Sequence, residues 1–200
     1  MTKQVRIGAA ILAAGASRRF GDADKLTTAL NGRMLGQHVA YLLADLDFAE
    51  RWIVTASQTH PCREAWEAAK FAIAVNECAD TGMGSSVAIA AHLAQQARCD
   101  FLLIALADMP LVPAGHFIDV IAKAVALGQT AIAASTDGDA RMPPAVFGSH
   151  HFDELARSTG DEGARDLLQQ AATVECSGTC LLDIDNERDL AIARKSLGRD

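Results

Sequence analysis

The chain has 200 residues, 50% of them hydrophobic and 22% charged, with 25 acidic against 18 basic side chains and a formal net charge of −7. That composition suits one globular domain spanning 1–200 with a single good core, and it carries no internal repeat, low-complexity tract or linker. It excludes a surface that coats nucleic acid, because an acidic protein must hold an anion with a local cluster of cations. No apolar stretch reaches the length of a membrane-spanning helix.

Lys3 and Arg6 ahead of IGAAILAAGA mimic a secretory signal, but the basic region is thin and the run is richer in Gly and Ala than in Leu, so a cytoplasmic protein is expected. Cysteines at 62, 78, 99, 176 and 180 are odd in number and scattered, which fits reduced thiols better than a disulfide framework. Cys176 and Cys180 have no second pair at zinc-finger spacing. The neighbouring side chains of His150 and His151 diverge, and both are expected at the surface or in packing.

In chain order, the apolar run Ile7–Ala13 reads as a buried strand. It empties into Ala14-Gly15-Ala16-Ser17, small enough for backbone N–H groups to approach a ligand, followed by the cations Arg18, Arg19 and Lys25. That pattern fits either a phosphate loop at a strand's carboxyl end or an ordinary connection with solvated arginines. Neither G-x-x-x-x-G-K-[ST] nor G-x-G-x-x-G is present. Helix Leu35–Leu46, with His38 in a solvated or packing role, precedes strand Arg51–Ala56. Next come helix Pro61–Phe71 and strand Phe71–Val75. A flexible turn, Glu77–Gly84, leads to Ser85, expected to cap helix Ser86–Ala97.

Strand Phe101–Ala107 is apolar throughout, as expected of a central parallel strand, and runs into Asp108. A carboxylate there is poorly solvated and wants a partner, either a cation or the amides of the following turn. Helix His116–Leu127, strand Thr130–Ala134 and a polar loop to Arg141 follow. Met142–Phe147 reads as an edge strand, since Pro143 and Pro144 cannot donate to a central ladder. Helical segments Asp153–Ser158 and Gly163–Gln170, strand pieces Thr173–Cys176 and Leu181–Ile184, and helix Glu187–Leu197 complete the chain. The alternation of strand and helix predicts an α/β fold, a three-layer α/β/α sandwich with a mostly parallel, Rossmann-like sheet.

Three stretches therefore converge on one chemistry: the cationic loop, Asp108, and the pair Asp183 and Asp185. Mg²⁺ favours a few carboxylates plus phosphate oxygens, so two of these aspartates are expected to hold it against a nucleoside triphosphate. Arg18 and Lys25 would offset the β- and γ-phosphates while a phosphate oxygen attacks the α-phosphorus and pyrophosphate leaves. A phosphate monoester is mostly dianionic at neutral pH, so no general base is required.

Leu12-Ala-Ala-Gly15-Ala-Ser-Arg18-Arg19-Phe20-Gly21 followed by Lys25 resembles the signature loop of the MobA/MocA-like molybdenum cofactor nucleotidyltransferases, and later motifs fall in that family's order. The resemblance implies a fold of the nucleotide-diphospho-sugar transferase type. It implies a nucleotide site made by Leu12, Ala13, Ala14, Gly15, Ser17, Arg18, Lys25, Gly82, Ser85 and Ser86. Arg18, Lys25 and Asp108 are implied as catalytic, with Asp108 and Asp185 as the metal ligands, Asp185 being favoured over Asp183. Gly160-Asp-Glu-Gly-Ala-Arg165 resembles a cytidylyltransferase segment and implies a second-substrate side formed by Pro144, Asp161, Gly163 and Arg165.

That segment and Ala13-Ala14-Gly15 lean toward CTP. The implied reaction moves CMP to the terminal phosphate of molybdopterin. GTP, or another small phosphorylated acceptor, is the alternative. A nucleotide-binding oxidoreductase on the same scaffold would want a dinucleotide glycine fingerprint that the chain lacks. No nucleic acid or membrane partner is expected. The chain departs from the family pattern at Arg19-Phe20, at Asn186-Glu187 and at Arg141-Met-Pro143-Pro144.

Overall fold

Among residues 4–15, 24–160 and 164–198, which the computed structural model describes, the opening apolar run forms β1 (Ile7–Ala13) at the middle of the sheet. A hairpin of β2 (Ala29–Leu30) and β3 (Arg33–Met34) follows, turning at Asn31 and Gly32, both at positive φ. This Asn-Gly turn is a short-range hairpin signal that the hydrophobic pattern hides, because its strands are only two residues long. Then come α1 (His38–Ala44), β4 (Glu50–Thr55), α2 (Arg63–Ala68), β5 (Ala72–Val75), α3 (Met83–Gln96) and β6 (Phe101–Leu106). The rest is α4 (Ala114–Leu127), β7 (Ile132–Thr136), β8 (Arg141–Gly148), α5 (Phe152–Leu155), α6 (Arg165–Leu168), β9 (Ala172–Glu175) and α7 (Glu187–Leu197).

Seven strands pair in the order β5-β4-β1-β6-β8-β7-β9. The first four are parallel to one another, β8 runs antiparallel to both neighbours, and β9 is parallel to β7. β1 has no alternation because both of its faces are covered. Ala9 and Ile11 belong to a cluster with Trp66 of α2, Phe117 and Val120 of α4, and Leu190 of α7. Ala10 and Leu12 face Val87, Ala90, Ala91 and Ala94 of α3, with Phe152, Leu155 and Leu167 from α5 and α6 beside them. The result is the expected α/β/α sandwich. Small alanines on α3 let that helix lie close against the sheet. No helix among the described residues is long and apolar enough to cross a membrane.

Four expectations need correction. Met142–Phe147 is not an edge strand: β8 lies between β6 and β7. Its prolines are accommodated because the β7 pairing shifts between Ala134 and Ser135, while β6 pairs only from Ala145 onward, so neither ladder asks Pro143 or Pro144 for an N–H. Leu181–Ile184 forms no strand; it is tied to the chain just past β6 by Ile184 N–H donating to Asp108 O at 3.0 Å. Ser85 does not cap a helix, since α3 starts two residues earlier with Gly82 at the N-cap. Cys176 and Cys180 are joined as a disulfide, because the turn after β9 brings them face to face, whereas Cys62, Cys78 and Cys99 are free.

Candidate active site at the carboxyl ends of β1 and β6

In register, Leu12 pairs with Leu106, and Ala107 N–H continues the ladder to Leu12 O at 3.0 Å. Residues just past these strands therefore emerge side by side: Ala13 to Gly15 from β1, Asp108 from β6. Lys25 arrives from a short 3₁₀ turn, Lys25–Thr27, capped by Asp24, whose Oδ1 accepts from Leu26 N–H at 2.9 Å. Its side chain is only 11% exposed, and Nζ sits 2.8 Å from Asp108 Oδ2 and 2.8 Å from Asp185 Oδ1.

Asp185 is delivered by the Ile184–Asp108 backbone bond and by its own amide, which donates to Asp189 Oδ2 at 3.1 Å. Asn186 caps α7 through the amides of Arg188 and Asp189, so helix start and carboxylate are set together.

Burial by itself would lower the pKa of Lys25, but the charges and hydrogen bonds of Asp108, then Asp185, outweigh it and raise the ammonium above its ordinary value. The lysine is a fixed cation. Asp183 faces the opposite pressure: desolvation first, then the charges of Asp185 and Asp108, push its carboxyl up. Asp108 Oδ1 is buried and has no hydrogen-bond partner among the described residues. Burial pushes the thiols of Cys62 up to about 12 and Cys99 up to about 11, which leaves both protonated and poor nucleophiles at neutral pH.

A cavity of about 350 Å³ opens beside this cluster. One wall is Leu12 to Gly15 with Lys25, Leu106 and Asp108; the other is the turn Ala79–Thr81, Gly82, and the first residues of α3, Met83 and Ser86. Gly82 takes φ +113°, a conformation that favours glycine, to swing the chain from turn into helix. The buried Asn76 organises that wall. Its Nδ2 donates to Ser85 Oγ and Ser86 Oγ at 2.8 Å each, and its Oδ1 accepts from Cys78 N–H at 3.0 Å. Gly84 is packed so tightly on the next loop that a Cβ would lie 2.6 Å from the carbonyl carbon of Thr159, and its amide donates to Gly160 O at 2.8 Å.

Of the residues singled out from sequence, Leu12, Ala13, Ala14, Gly15, Lys25, Gly82, Ser86 and Asp108 line the cavity, and Asp185 joins them through Lys25. Ser85 stands behind the wall, its hydroxyl within 3.0 Å of Cys78 O and 2.9 Å of Gly82 O. Pro144 is buried in β8, its carbonyl accepting from Ser135 Oγ at 2.8 Å, and Arg165 is exposed at the start of α6; neither lines the cavity. Ser17, Arg18, Asp161 and Gly163 lie outside the described residues. Among the described residues no group of three or more His, Cys, Asp or Glu could hold a metal ion, and the Asp108–Asp185 pair instead shares an ammonium. Asn76 was not singled out, although it carries the signal that marked Asp108: a polar residue where a parallel strand ends.

A sheet wound on both faces, with a small-residue loop, a lysine and two carboxylates gathered where its central parallel strands end, defines a nucleotide-handling α/β protein. The MobA-like NTP transferase domain matches residues 9–174, and the chain belongs to that family of nucleotidyltransferases. It is 29% identical over 204 aligned residues to the purine catabolism protein PucB of Bacillus subtilis (strain 168), covering 93% of this chain and 95% of that one. It is 25% identical over 162 residues to the molybdenum cofactor guanylyltransferase of Shewanella frigidimarina (strain NCIMB 400), covering 81% and 79%. Its fold superposes on Rv0371C of Mycobacterium tuberculosis H37Rv, solved in complex with manganese, with a TM-score of 0.73 at 22% identity over 96% of this chain and 100% of the other.

Proposed function

We propose that the chain transfers a nucleoside monophosphate from an NTP, CTP in preference, to the terminal phosphate of a phosphorylated pterin such as molybdopterin, with release of pyrophosphate. The observation that carries this reading is the Lys25 ammonium held 2.8 Å from both Asp108 and Asp185 at the edge of a cavity built by the loop after β1. The phosphate oxygen of the acceptor forms a bond to the α-phosphorus as the bond to the pyrophosphate oxygen breaks, and negative charge grows on the leaving group. Lys25 supplies positive charge beside the cavity, and backbone around Ala13 to Gly15, without bulky side chains, admits the triphosphate closely. Arg18 is assigned the same electrostatic task.

A divalent cation fits the two aspartates. An ammonium already stands between them, both offer hard oxygen donors, and Asp108 Oδ1 is a buried acceptor with no partner among the described residues. Asp108 and Asp185 would hold Mg²⁺, which when bound neutralises phosphate charge and polarises the phosphoryl oxygens. Asn76 keeps the opposite wall in place for base and ribose. Asp161, Gly163 and Arg165, following the loop docked on Gly84, are assigned to the acceptor.

The preference for CTP rests on Ala13-Ala14-Gly15 and the Gly160–Arg165 segment, and GTP is the competing choice because one relative is named a guanylyltransferase. Pyrophosphate release measured with Mg²⁺ and each of CTP, GTP, ATP and UTP, with and without molybdopterin, decides the matter. Turnover with CTP and the pterin together is expected. Turnover with GTP alone replaces the base assignment, turnover needing a different phosphorylated acceptor replaces the pterin, and silence with every NTP removes the reading.

A further inference from the structure

Lys25 reaches two carboxylates through a long side chain mounted on a three-residue 3₁₀ turn, and a turn of that length has little stability of its own. Something outside the turn must fix it. Asp24 supplies the first link: Oδ1 accepts from Leu26 N–H, and its carbonyl accepts from Thr27 N–H at 3.0 Å and Thr27 Oγ1 at 2.8 Å. The other carboxylate oxygen, Oδ2, lies 2.7 Å from Nε2 of His60, a residue 36 positions further along in the loop between β4 and α2.

His60 is held on every side. It is 8% exposed, and its Nδ1 accepts from Cys62 N–H at 3.0 Å. With the Nδ1 lone pair engaged, the ring proton sits on Nε2 and points at Asp24. The imidazole stacks on Trp66 with centroids 4.6 Å apart and planes 25° apart, and that fully buried indole donates to Gly36 O at 2.8 Å. An unbroken path of fixed contacts thus runs from the core at Trp66 through His60 and Asp24 to the turn that aims Lys25. A side chain needed only for packing against Trp66 would not require its far nitrogen to meet a carboxylate on another element.

We propose that His60 is a positioning residue for Lys25, acting through Asp24, and that it sets how closely the ammonium is held at the nucleotide site. The inference rests on the role given to Lys25 above, so its test includes a readout that does not depend on turnover. His60→Phe keeps a ring on Trp66 but removes the Nε2 proton; His60→Gln restores a donor. Reductive methylation followed by peptide mass spectrometry reports the accessibility of Lys25, with the exposed Lys70, Lys123 and Lys195 as internal references.

In His60→Phe, Lys25 is expected to react about tenfold faster while the references do not change, and His60→Gln is expected to return toward wild type, as for loss and replacement of an orienting partner. In pyrophosphate release, His60→Phe should lower kcat about tenfold and leave the acceptor KM unchanged. Adding it to Asp24→Asn should cost nothing more in either measurement, because both substitutions cut the same path. Unchanged Lys25 reactivity in His60→Phe, or losses that add in the double variant, would overturn the proposal. A wild-type protein silent with every NTP overturns the functional reading alone, and methylation still decides the brace.

Discussion

The two aspartates that bracket β6 have opposite surroundings. Asp100, just before the strand, is 7% exposed and accepts from two neutral donors: Arg6 N–H reaches Oδ2 at 2.9 Å and Gln129 Nε2 reaches Oδ1 at 2.7 Å. Its backbone joins in, its N–H donating to Arg6 O at 2.7 Å and its carbonyl accepting from Ser149 N–H at 2.9 Å, so it ties together the starts of β1 and β6 and the end of β8. Asp108, just after the strand, gives one oxygen to a lysine that is itself shared, and its other oxygen has no partner among the described residues. One carboxylate closes the sheet at the amino end of its central strands. The other keeps an acceptor in reserve at the carboxyl end. In a parallel sheet the crossovers bring every loop that can surround a ligand to the carboxyl end, which is why the spare capacity stands there.

Substitution breaks this contrast most strongly at Asp108. Asp108→Asn, nearly isosteric, is expected to lower kcat about a thousandfold with the thermal midpoint almost unmoved, the size of effect seen when one aligned electrostatic group is lost. Turnover near wild type would move the site elsewhere. Lys25→Met should cost about a hundredfold in kcat/KM for the triphosphate. It should also tighten Mn²⁺ binding without nucleotide, followed by electron paramagnetic resonance, since the ammonium no longer occupies the gap; weaker binding would separate the two aspartates from the metal.

Asp100→Ala sharpens the comparison from the other end. It strands the donors of Arg6 and Gln129 and should destabilise by about 2 kcal/mol in urea unfolding, with kcat of the folded enzyme preserved. The smallest effect concerns two histidines that do not line the cavity. His116, whose Nε2 donates to Ser135 Oγ at 2.7 Å, has its pKa lowered by burial, with Asp119 opposing; His38 is lowered mainly by burial too. Both are held neutral, so the unfolded chain binds more protons as pH falls below their ordinary value of 6.5. Stability should therefore drop on acidification from that point, and His116→Gln should flatten the slope. A urea midpoint rising on acidification would contradict this.

Much of this was legible before any coordinates. An unbroken apolar strand followed by small residues, and a second one followed by Asp108, are local patterns whose meaning follows from burial on both faces. Legibility failed where pairing partners decide. The prolines of β8 suggested an edge because a ladder was assumed at every residue, whereas the shift beside Ser135 frees them inside the sheet. Ser85 looked like a cap by spacing alone, but Asn76 claims its hydroxyl and Gly82 takes the capping position. Asp183 and Asp185 were equivalent by alternation, the resemblance alone favoured Asp185, and the turn set by Ile184 N–H on Asp108 O is what sends it to Lys25.

What the amino-acid order determined by itself is the alternation of strand and helix, the buried centre of the sheet, and the chemical types gathered at its carboxyl end, because these depend on hydrophobic period and on residues adjacent in the chain. Only the tertiary structure decided that Asp108 and Asp185 share the lysine, where the prolines lie in the sheet, and that His60 stands behind Asp24. Those depend on the meeting of segments that sequence distance keeps apart, and no local propensity encodes that meeting.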